Sequence, residues 1–189
     1  WLINQAKGVF DLATLDAARL VQKREAGSGY RDEFVGRVMF PIRNERGQPV
    51  SFSGRVLPDA KYPNPKYFNG HESLVFKKSR ILFGLDQARA AIGQRDETLV
   101  VEGYTDCMAL HQAGFTNVIG TMGTAMTEQQ VSLLRRFAPR VVLVYDGDAA
   151  GLSAAERAIE RLLPQEIDLR IVTLPDGLDP ADAVAQRGA

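Results

Sequence analysis

The stretch Arg140-Val-Val-Leu-Val-Tyr-Asp-Gly-Asp-Ala-Ala-Gly151 decides the fold, because a continuous apolar run ends in two acids. The run from Val141 to Tyr145 is typical of a strand covered on both faces, as in a parallel sheet. Asp146 and Asp148 then lie at the carboxyl end of that strand, where open α/β sheets bind ligands. Two acids at i and i+2 point to the same side if the extended geometry persists, and the intervening Gly147 permits a bend or the close approach of a ligand. Such a pair suits a hard divalent cation.

Strands and helices alternate from residue 98 to residue 174. Apolar runs predict strands, and apolar residues at helical spacing predict helices. The predicted strands are 98–102, 116–119, 141–145 and 169–174, and the predicted helices are 105–113, 127–137 and 149–163. Thr127 and Gln130 match a capping box, which supports a helix start there. The short connections predict an α/β fold, with parallel strands joined by right-handed crossovers in a sheet flanked by helices.

The first 95 residues predict a smaller α+β subdomain. We expect a helical lead-in over 1–35, a hairpin from the runs 37–43 and 50–57, and a helix over 80–94. The loop over 58–73 is rich in Pro, Asn and Gly, and its surface residues are Lys61, Lys66 and Tyr67. The expected divisions are 1–95 for this subdomain, 96–183 for the acid-bearing α/β subdomain and 184–189 for a C-terminal edge.

Charge is distributed unevenly, although the net charge is zero. Residues 1–95 contain 16 Lys and Arg against 9 Asp and Glu, whereas residues 96–189 contain 7 against 14. A basic half joined to an acidic half is expected if the first binds a polyanion and the second binds metal ions. The alternative is that the charges merely solvate two surfaces.

Composition excludes several classes of protein. Hydrophobic residues make up 45% and charged residues 24%, as in ordinary globular proteins. No apolar run approaches the roughly 18 residues of a membrane span, and no signal peptide is visible, so a cytoplasmic location is expected. The one cysteine, Cys107, excludes an internal disulfide and a cysteine-based zinc cluster within these residues.

Acids follow three of the predicted strands. They are Glu102 and Asp106 after the first, Asp146 and Asp148 after a later one, and Asp176, Asp179 and Asp182 after the last. The carboxyl ends of parallel strands share one edge, so these acids are expected to converge. Converging carboxylates repel each other, and the usual resolution is Mg²⁺ or Mn²⁺ bound by oxygen ligands, which points to phosphoryl transfer.

Each acid also has a structural alternative. Glu102 and Asp106 fit acids near the start of a helix, where they interact favourably with its dipole. Asp146 or Asp148 fits the cap of the helix from Ala149, although capping needs only one of them. The acids after the last strand lie among Pro and Gly, where turns are the ordinary explanation.

The motifs resemble those of a known family. Glu102-Gly103 after a strand, together with Asp146-Gly147-Asp148, resembles the TOPRIM module of primases, topoisomerases and some nucleases. The ordered set over roughly 35–183 is similar to the RNA polymerase core of bacterial DnaG-type DNA primases. It comprises Arg37-Val-Met-Phe-Pro-Ile, Gly54-Arg55-Val, Pro65-Lys-Tyr-Phe-Asn69, Lys78 with Arg80, Leu82-Phe-Gly-Leu85, Val101-Glu-Gly-Tyr-Thr-Asp106, Tyr145-Asp-Gly-Asp-Ala-Ala-Gly151 and Leu174-Pro-Asp-Gly-Leu-Asp-Pro180.

The resemblance implies roles for individual residues. Glu102, Asp146 and Asp148 are expected to hold catalytic Mg²⁺ or Mn²⁺, with Asp106 and Asp179 completing the acidic cluster. The residues expected to bind nucleotide or nucleic acid are Arg55, Lys66, Tyr67, Asn69, Lys78 and Arg80. Relatives commonly carry a second Asp-x-Asp where this chain has Asp179-Pro-Ala-Asp182, so no role is assigned to Asp182.

The resemblance also implies an activity and partners. We expect a monomeric polymerase that makes RNA primers from ribonucleoside triphosphates on single-stranded DNA at the bacterial replication fork. Zinc is expected only in an N-terminal domain, and helicase docking in a C-terminal domain, both beyond the boundaries Trp1 and Ala189. Alternatives are a nuclease or topoisomerase fragment on the same module, a phosphohydrolase with Asp146 as nucleophile, and a non-catalytic nucleic-acid-binding module.

Overall fold

The computed structural model describes residues 1–25, 27–60, 65–123, 125–162, 164–165, 167–175 and 177–188. Lys61 and Asp176 lie outside these described residues. The chain divides into two compact units, the first containing Trp1–Ile42 and Pro49–Lys77 and the second containing Arg43–Gln48 and Lys78–Ala189. The expected division between residues 95 and 96 stays a prediction. None of the helices in the described ranges is long and apolar enough to cross a membrane.

The first unit begins with two short helices and a small sheet. The elements are α1 (Leu2–Ala6), α2 (Leu12–Ala17), β1 (Val21–Lys23) and β2 (Tyr30–Asp32), with the two strands antiparallel. The expected helical lead-in over 1–35 is therefore wrong for residues 21–23 and 30–32, which form strands. Leu15 of α2 and Val21 of β1 are both buried in one small cluster with Ala6. The apolar residues that suggested one helical segment thus belong to two helices and a strand, which pack in the same small core.

The second sheet of this unit contains three strands. They are β3 (Arg37–Arg43), β4 (Pro49–Val56) and β5 (Tyr67–Asn69), in the order β3-β4-β5. The expected hairpin is confirmed: the turn between β3 and β4 closes with a hydrogen bond from Asn44 N to Gln48 O, and Gly47 adopts φ +82°. In the antiparallel pair of β4 and β5, Arg55 lies opposite Tyr67.

The second unit is built on a four-stranded sheet. Its strands are β6 (Glu97–Val101), β7 (Val118–Gly120), β8 (Arg140–Tyr145) and β9 (Asp168–Thr173). All neighbouring pairs are parallel and the order is β7-β6-β8-β9. The expected α/β fold with a parallel sheet is confirmed. Since β8 is central and lined by buried residues such as Val141 and Leu143, its continuous apolar run is explained.

Within the described residues of this unit, five helices accompany the sheet. They are α3 (Leu85–Arg95), α4 (Tyr104–Gln112), α5 (Glu128–Leu134), α6 (Ala149–Leu162) and α7 (Pro180–Arg187). The main core is formed by sheet residues together with buried residues of α3, α5 and α6, such as Ile92, Leu134 and Leu162. A smaller cluster contains Cys107 and Leu110 of α4, with Val184 of α7 packed against it.

Two helix boundaries differ by several residues from the expectations, and one helix was not expected. The helix expected over 80–94 begins at Leu85, because Gly84 adopts φ +80°, and residues 78–80 form a 3₁₀ turn. The helix expected to reach Phe137 ends at Leu134, whereas its predicted capping box of Thr127 and Gln130 is confirmed. Helix α7 was not expected, since Pro and Gly around residues 175–180 suggested only turns.

The strand order creates a switch point between β6 and β8. From β6 the chain passes through α4 to β7, on one side, and from β8 it passes through α6 to β9, on the other. Adjacent strands whose connections leave in opposite directions open a crevice at their carboxyl ends, which is the usual ligand site of an open α/β sheet. The first residues beyond these strands are Glu102 and Asp146.

Gly147 permits a close approach of two backbone segments. Its N–H donates to the carbonyl of Leu178 at 3.1 Å, and Leu174 N donates to the carbonyl of Tyr145 at 3.1 Å. A Cβ at Gly147 would meet the Leu174 carbonyl and would lie 3.0 Å from Gly177 N. The sequence suggested a bend or an approaching ligand at this glycine. The structure shows that the approaching group is the backbone after β9.

We predict that Gly147→Ala destabilises the protein, because the Cβ overlaps backbone atoms rather than a side chain that can rotate away. Overpacking of this kind costs about 1–3 kcal/mol, so thermal unfolding should show a Tm lower by several degrees. The matched control is Gly93→Ala within α3, where a Cβ meets no atom within 4 Å. There alanine should be neutral or stabilising, by up to about 1 kcal/mol. Equal Tm values for the two variants would contradict this prediction.

Candidate active site

Glu102 and Asp146 lie side by side because β6 and β8 are neighbouring strands. Each directly follows the last residue of its strand. The carbonyl of Glu102 accepts a hydrogen bond from Gly123 N at 2.8 Å and another from Thr121 Oγ1 at 3.4 Å. The loop after β7 therefore fixes the backbone of Glu102 at the mouth of the crevice.

The carboxylate of Glu102 lies in a field of like charge. Its pKa is raised, first by burial and then by the charges of Asp146 and Asp148. As a residue, Glu102 nevertheless remains exposed to solvent at the mouth of the crevice. Arg157 of α6 acts in the opposite direction and lowers this pKa. Arg157 is the positively charged group among those that shift the pKa of Glu102.

Asp106 lies one turn into α4 and is affected more strongly. Burial, followed by the charges of Asp179 and Asp146, raises its pKa to about 6. Backbone N–H groups at the start of α4 oppose this shift only in part. A helix N-terminus is thus insufficient to offset the surrounding negative charge. The alternative in which Asp106 is only a favourable first-turn charge does not fit this environment.

Asp146 connects the two groups of acids. Its pKa is raised by burial, then by Asp179 and Asp148. It also raises the pKa of both Glu102 and Asp106. Asp146 is therefore electrostatically coupled to four other acids: Glu102, Asp106, Asp148 and Asp179.

Two of these acids also cap helices. Asp148 Oδ1 accepts a hydrogen bond from Gly151 N at 2.7 Å, in the first turn of α6. Asp179 Oδ1 accepts one from Asp182 N at 2.7 Å and is the N-cap of α7. The structure thus assigns capping of α6 to Asp148 rather than to Asp146. Sequence reasoning missed the cap at Asp179 because it missed α7.

A cavity of about 130 Å³ lies at the carboxyl ends of β6 and β8. Its lining includes Glu102, Thr121, Tyr145 and Arg157. The pKa of Tyr145 is raised by burial and then by the charge of Glu102. Sequence reasoning missed Tyr145, Thr121 and Arg157 as site residues. A lone arginine within a helix carries no signature, although Tyr145 was visible as the last residue of the decisive strand.

The acids around Asp146 offer a donor set of carboxylate oxygens to a divalent cation. Carboxylate oxygens are the preferred ligands of Mg²⁺, and the mutual repulsion of these acids is what a bound cation relieves. Within the described ranges, however, no three Asp, Glu, His or Cys side chains form a group that could hold a metal ion as they stand. The chemistry of the residues fits Mg²⁺ or Mn²⁺, and the side chains are not arranged as a closed cage.

The expected nucleic-acid-binding residues occur in both units. In the first unit, the cations of Arg55 and Lys66 lie 5.5 Å and 5.6 Å from the ring centre of Tyr67. Asn69 Oδ1 accepts a hydrogen bond from Ser53 Oγ at 2.6 Å, so it also has a structural partner. β4 and β5 therefore bring an exposed aromatic ring together with two cations.

The other two basic residues belong to the second unit. Lys78 and Arg80 lie in the 3₁₀ turn that precedes α3. Arg80 is exposed and donates through Nε to Gln129 Oε1 at 3.2 Å. Lys78 is partly buried. The predicted set therefore consists of one group on β4 and β5 and a separate group on this turn.

Comparison with known proteins gives two family matches. Residues 3–89 match the family described as DNA primase catalytic core, N-terminal domain. Residues 99–184 match the family described as Toprim-like. The second match contains Glu102, Asp106, Asp146, Asp148 and Asp179.

Similar proteins are primases. The DNA primase of Deinococcus radiodurans is 44% identical over 183 residues, which cover 96% of this chain and 31% of that protein. A crystal structure of the zinc-binding and RNA polymerase domains of Aquifex aeolicus primase has a TM-score of 0.89 at 36% identity, covering 99% of this chain and 46% of that one. A DnaG primase catalytic domain bound to single-stranded DNA has a TM-score of 0.83 at 39% identity, covering 94% and 57%.

The chain spans about a third of the curated relative it matches. The two family matches follow one another in the chain, and both the sequence and the structural similarity extend over nearly all of it. The chain therefore belongs to the DnaG-type DNA primase family, as the N-terminal domain of the catalytic core followed by a Toprim-like domain.

Proposed function

We propose that this chain catalyses the synthesis of short RNA primers on a single-stranded DNA template. The observation that carries the proposal is the group of acids around Asp146 at the switch point, where burial and then like charges raise the pKa values of Glu102, Asp106 and Asp146. Such an arrangement suits a reaction in which cations and phosphates enter together. Support comes from the primase relatives, one of which is described as bound to single-stranded DNA.

Glu102, Asp146 and Asp148 are proposed to hold Mg²⁺ or Mn²⁺, with Asp106 and Asp179 completing the site. Mg²⁺ or Mn²⁺ held by these acids would supply a lower pKa for the primer 3′-hydroxyl and stabilisation of the charge on the leaving pyrophosphate. The 3′-hydroxyl gives up its proton to solvent, its oxygen forms a bond to the α-phosphorus of the incoming nucleotide, and the bond from that phosphorus to pyrophosphate breaks. The side chains supply charge and position rather than a covalent nucleophile.

The basic residues are proposed to bind the polyanionic partners. Arg55, Lys66, Lys78 and Arg80 neutralise phosphates without reading sequence, and Tyr67 stacks on a base or ribose. Asn69 is proposed to assist them. The partners are the DNA template, the growing RNA primer and ribonucleoside triphosphates.

The remaining proposals concern the cellular setting. We propose that the protein acts as a monomer in the cytoplasm, at the replication fork. Contact with a replicative helicase, and a zinc site, are proposed to belong to domains other than the two matched here.

We predict that Glu102→Gln and Asp146→Asn abolish primer synthesis while the protein stays folded. Each removes one negative charge at nearly constant shape, and the loss should exceed about 100-fold, the upper end for a residue that only supports a metal ligand. Synthesis is measured with labelled ribonucleotides on single-stranded DNA, in Mg²⁺ and in Mn²⁺.

The matched control for this experiment is Asp168→Asn. Asp168 is the first residue of β9, at the opposite end of its strand from the acids, and pairs with Arg140 at 2.7 Å. The Asp168→Asn variant should retain primer synthesis. Primer synthesis by Asp146→Asn at the rate of the unmodified chain would refute the proposed site. No synthesis by the unmodified chain, with DNA binding intact, would favour a non-catalytic binding module.

We predict that the metal-free protein loses stability as the pH rises through about 6. Because the pKa of Asp106 is raised to about 6, its contribution to stability is complete below its unfolded pKa of about 3.9 and is lost as the folded carboxyl ionises. Asp106→Asn should therefore show a smaller fall in Tm between pH 5 and pH 7.5, on the order of a few degrees. Mg²⁺ should raise the Tm of the unmodified chain more at pH 7.5 than at pH 5.

Asp168→Asn is the control in this pH series, and it should leave the fall in Tm between pH 5 and pH 7.5 unchanged. Hydrogen bonds from Arg140 and Arg170 hold the pKa of Asp168 below its usual value. Its contribution to stability is therefore present above its unfolded pKa and lost as the pH falls through the lower folded pKa. An identical pH profile for Asp106→Asn and the unmodified chain would contradict the charge coupling described above.

We predict that the two roles of Asp179 can be separated. Asp179→Ala removes both the cap of α7 and the charge, and should cost about 1 kcal/mol of unfolding free energy. Asp179→Asn keeps a capping oxygen and should unfold near the unmodified chain, yet its primer synthesis should fall in low Mg²⁺. Chemical denaturation and a Mg²⁺ titration of activity provide the two measurements. If Asp179→Asn keeps the normal Mg²⁺ dependence, Asp179 only caps α7.

A further inference from the structure

Gln130 is a fully buried polar side chain, with 0% exposure. Its Nε2 donates to the carbonyl of Lys78 at 3.1 Å and to the carbonyl of Ile81 at 2.9 Å. Its Oε1 accepts from Thr127 N at 2.9 Å. Both amide hydrogens and the amide oxygen are therefore used, and two of these three bonds reach a segment about 50 residues away in sequence.

The segment that Gln130 holds is the 3₁₀ turn of Lys78–Arg80. A second bond to it comes from Thr127 Oγ1, which donates to the carbonyl of Ser79 at 2.7 Å. Gln129 Oε1 accepts from Ser79 Oγ at 3.3 Å and from Arg80 Nε at 3.2 Å. A single 3₁₀ turn has weak internal hydrogen bonding. Hydrogen bonds with residues at the start of α5 therefore stabilise this turn, whose internal hydrogen bonds are weak.

Helix capping does not explain this use of the amide. A capping box needs only the oxygen of the third residue, so glutamate serves as well as glutamine. Glutamate has no N–H and could not donate to the carbonyls of Lys78 and Ile81. The side-chain N–H groups of Gln130 therefore donate to the turn and to Ile81 directly after it, and not to its own helix.

We propose that Gln130 is a positioning residue, which fixes the backbone of the Lys78–Arg80 turn so that its two cations meet phosphates in one arrangement. The inference rests on the proposed function, in which Lys78 and Arg80 bind nucleic acid or nucleotide. Cations on a fixed backbone lose less conformational freedom on binding than cations on a mobile turn. Gln130 therefore contributes to affinity without touching the ligand.

The test is a double-mutant cycle between Gln130→Met and Lys78→Ala. Methionine has a similar length but donates no hydrogen bond. Binding of a fluorescein-labelled oligothymidine to the full chain is measured over a salt series, at a temperature where circular dichroism shows every variant folded. Lys78→Ala alone should weaken binding and reduce the salt slope by about 0.7 for one lost phosphate contact. In the Gln130→Met background, the same change should have less than about half its effect on the logarithm of the affinity.

Val131→Ala is the matched control for lost stability. Val131 neighbours Gln130 in α5 and is equally buried, in the main core. Its truncation lowers stability, by the loss of packing, without removing a hydrogen bond to the turn. Lys78→Ala should keep its full effect on binding and on the salt slope in this background. A role of Gln130 in stability alone would make the two backgrounds alike.

Two further variants keep the test informative if Gln130→Met does not fold. Gln130→Glu retains the capping oxygen but loses both donors, so it should weaken the effect of Lys78→Ala in the same way. Gln129→Ala changes an exposed side chain and removes the contact with Arg80 Nε. It should reduce the effect of Arg80→Ala on binding.

The outcomes distinguish this inference from the proposed function. If Lys78→Ala weakens binding equally in the unmodified chain and in both Gln130 backgrounds, the positioning role is overturned and the phosphate-binding role stands. If Lys78→Ala and Arg80→Ala leave binding unchanged in the unmodified chain, the phosphate-binding role of the turn fails, and the inference fails with it.

Discussion

The parallel pairing of β6 with β8 is the constraint on which the site depends. It places the residue after each strand, Glu102 and Asp146, at the same edge of the sheet. The pairing is stabilised by apolar burial, since Val100, Val141 and Leu143 are almost fully inaccessible. Burial of the strands is thus the favourable contribution that offsets the repulsion between acids held at their ends. Burial first, and then the charges of neighbouring acids, raise the pKa values of Glu102 and Asp146.

The acids are positioned by helix starts as well as by strand ends. Asp148 and Asp179 each use one oxygen to cap a helix, α6 and α7 respectively. A carboxylate has two oxygens and about four lone-pair sites, so capping does not prevent it from also binding a cation. Capping a helix and binding a cation, which the sequence presents as alternatives, are therefore compatible roles at these positions. A cap also fixes the carboxylate, which reduces the entropy lost on binding.

Much of the second unit could be predicted, because its signals are local. Continuous apolar runs predict β6 and β8, and the spacing of Thr127 and Gln130 predicts the start of α5. The convergence of Glu102 with Asp146 follows from strand direction alone. Helix α7 could not be predicted in this way, because Pro180 at a helix start and proline in a turn look the same in sequence. The small sheet of β1 and β2 was missed because strands of three residues are too short to show a period.

Contacts between segments that are distant in the chain could not be predicted from the sequence. The closeness of Arg157 to Glu102, and of the Leu174 backbone to Gly147, depends on how helices and loops pack on the finished sheet. The bonds from Gln130 to the Lys78–Arg80 turn are of the same kind. The capping box that identifies Gln130 in the sequence accounts for its oxygen, and only the fold shows where its nitrogen is used. A residue recognised for a local structural role can therefore carry a second, long-range role, which the unused hydrogen-bonding capacity of its side chain makes possible.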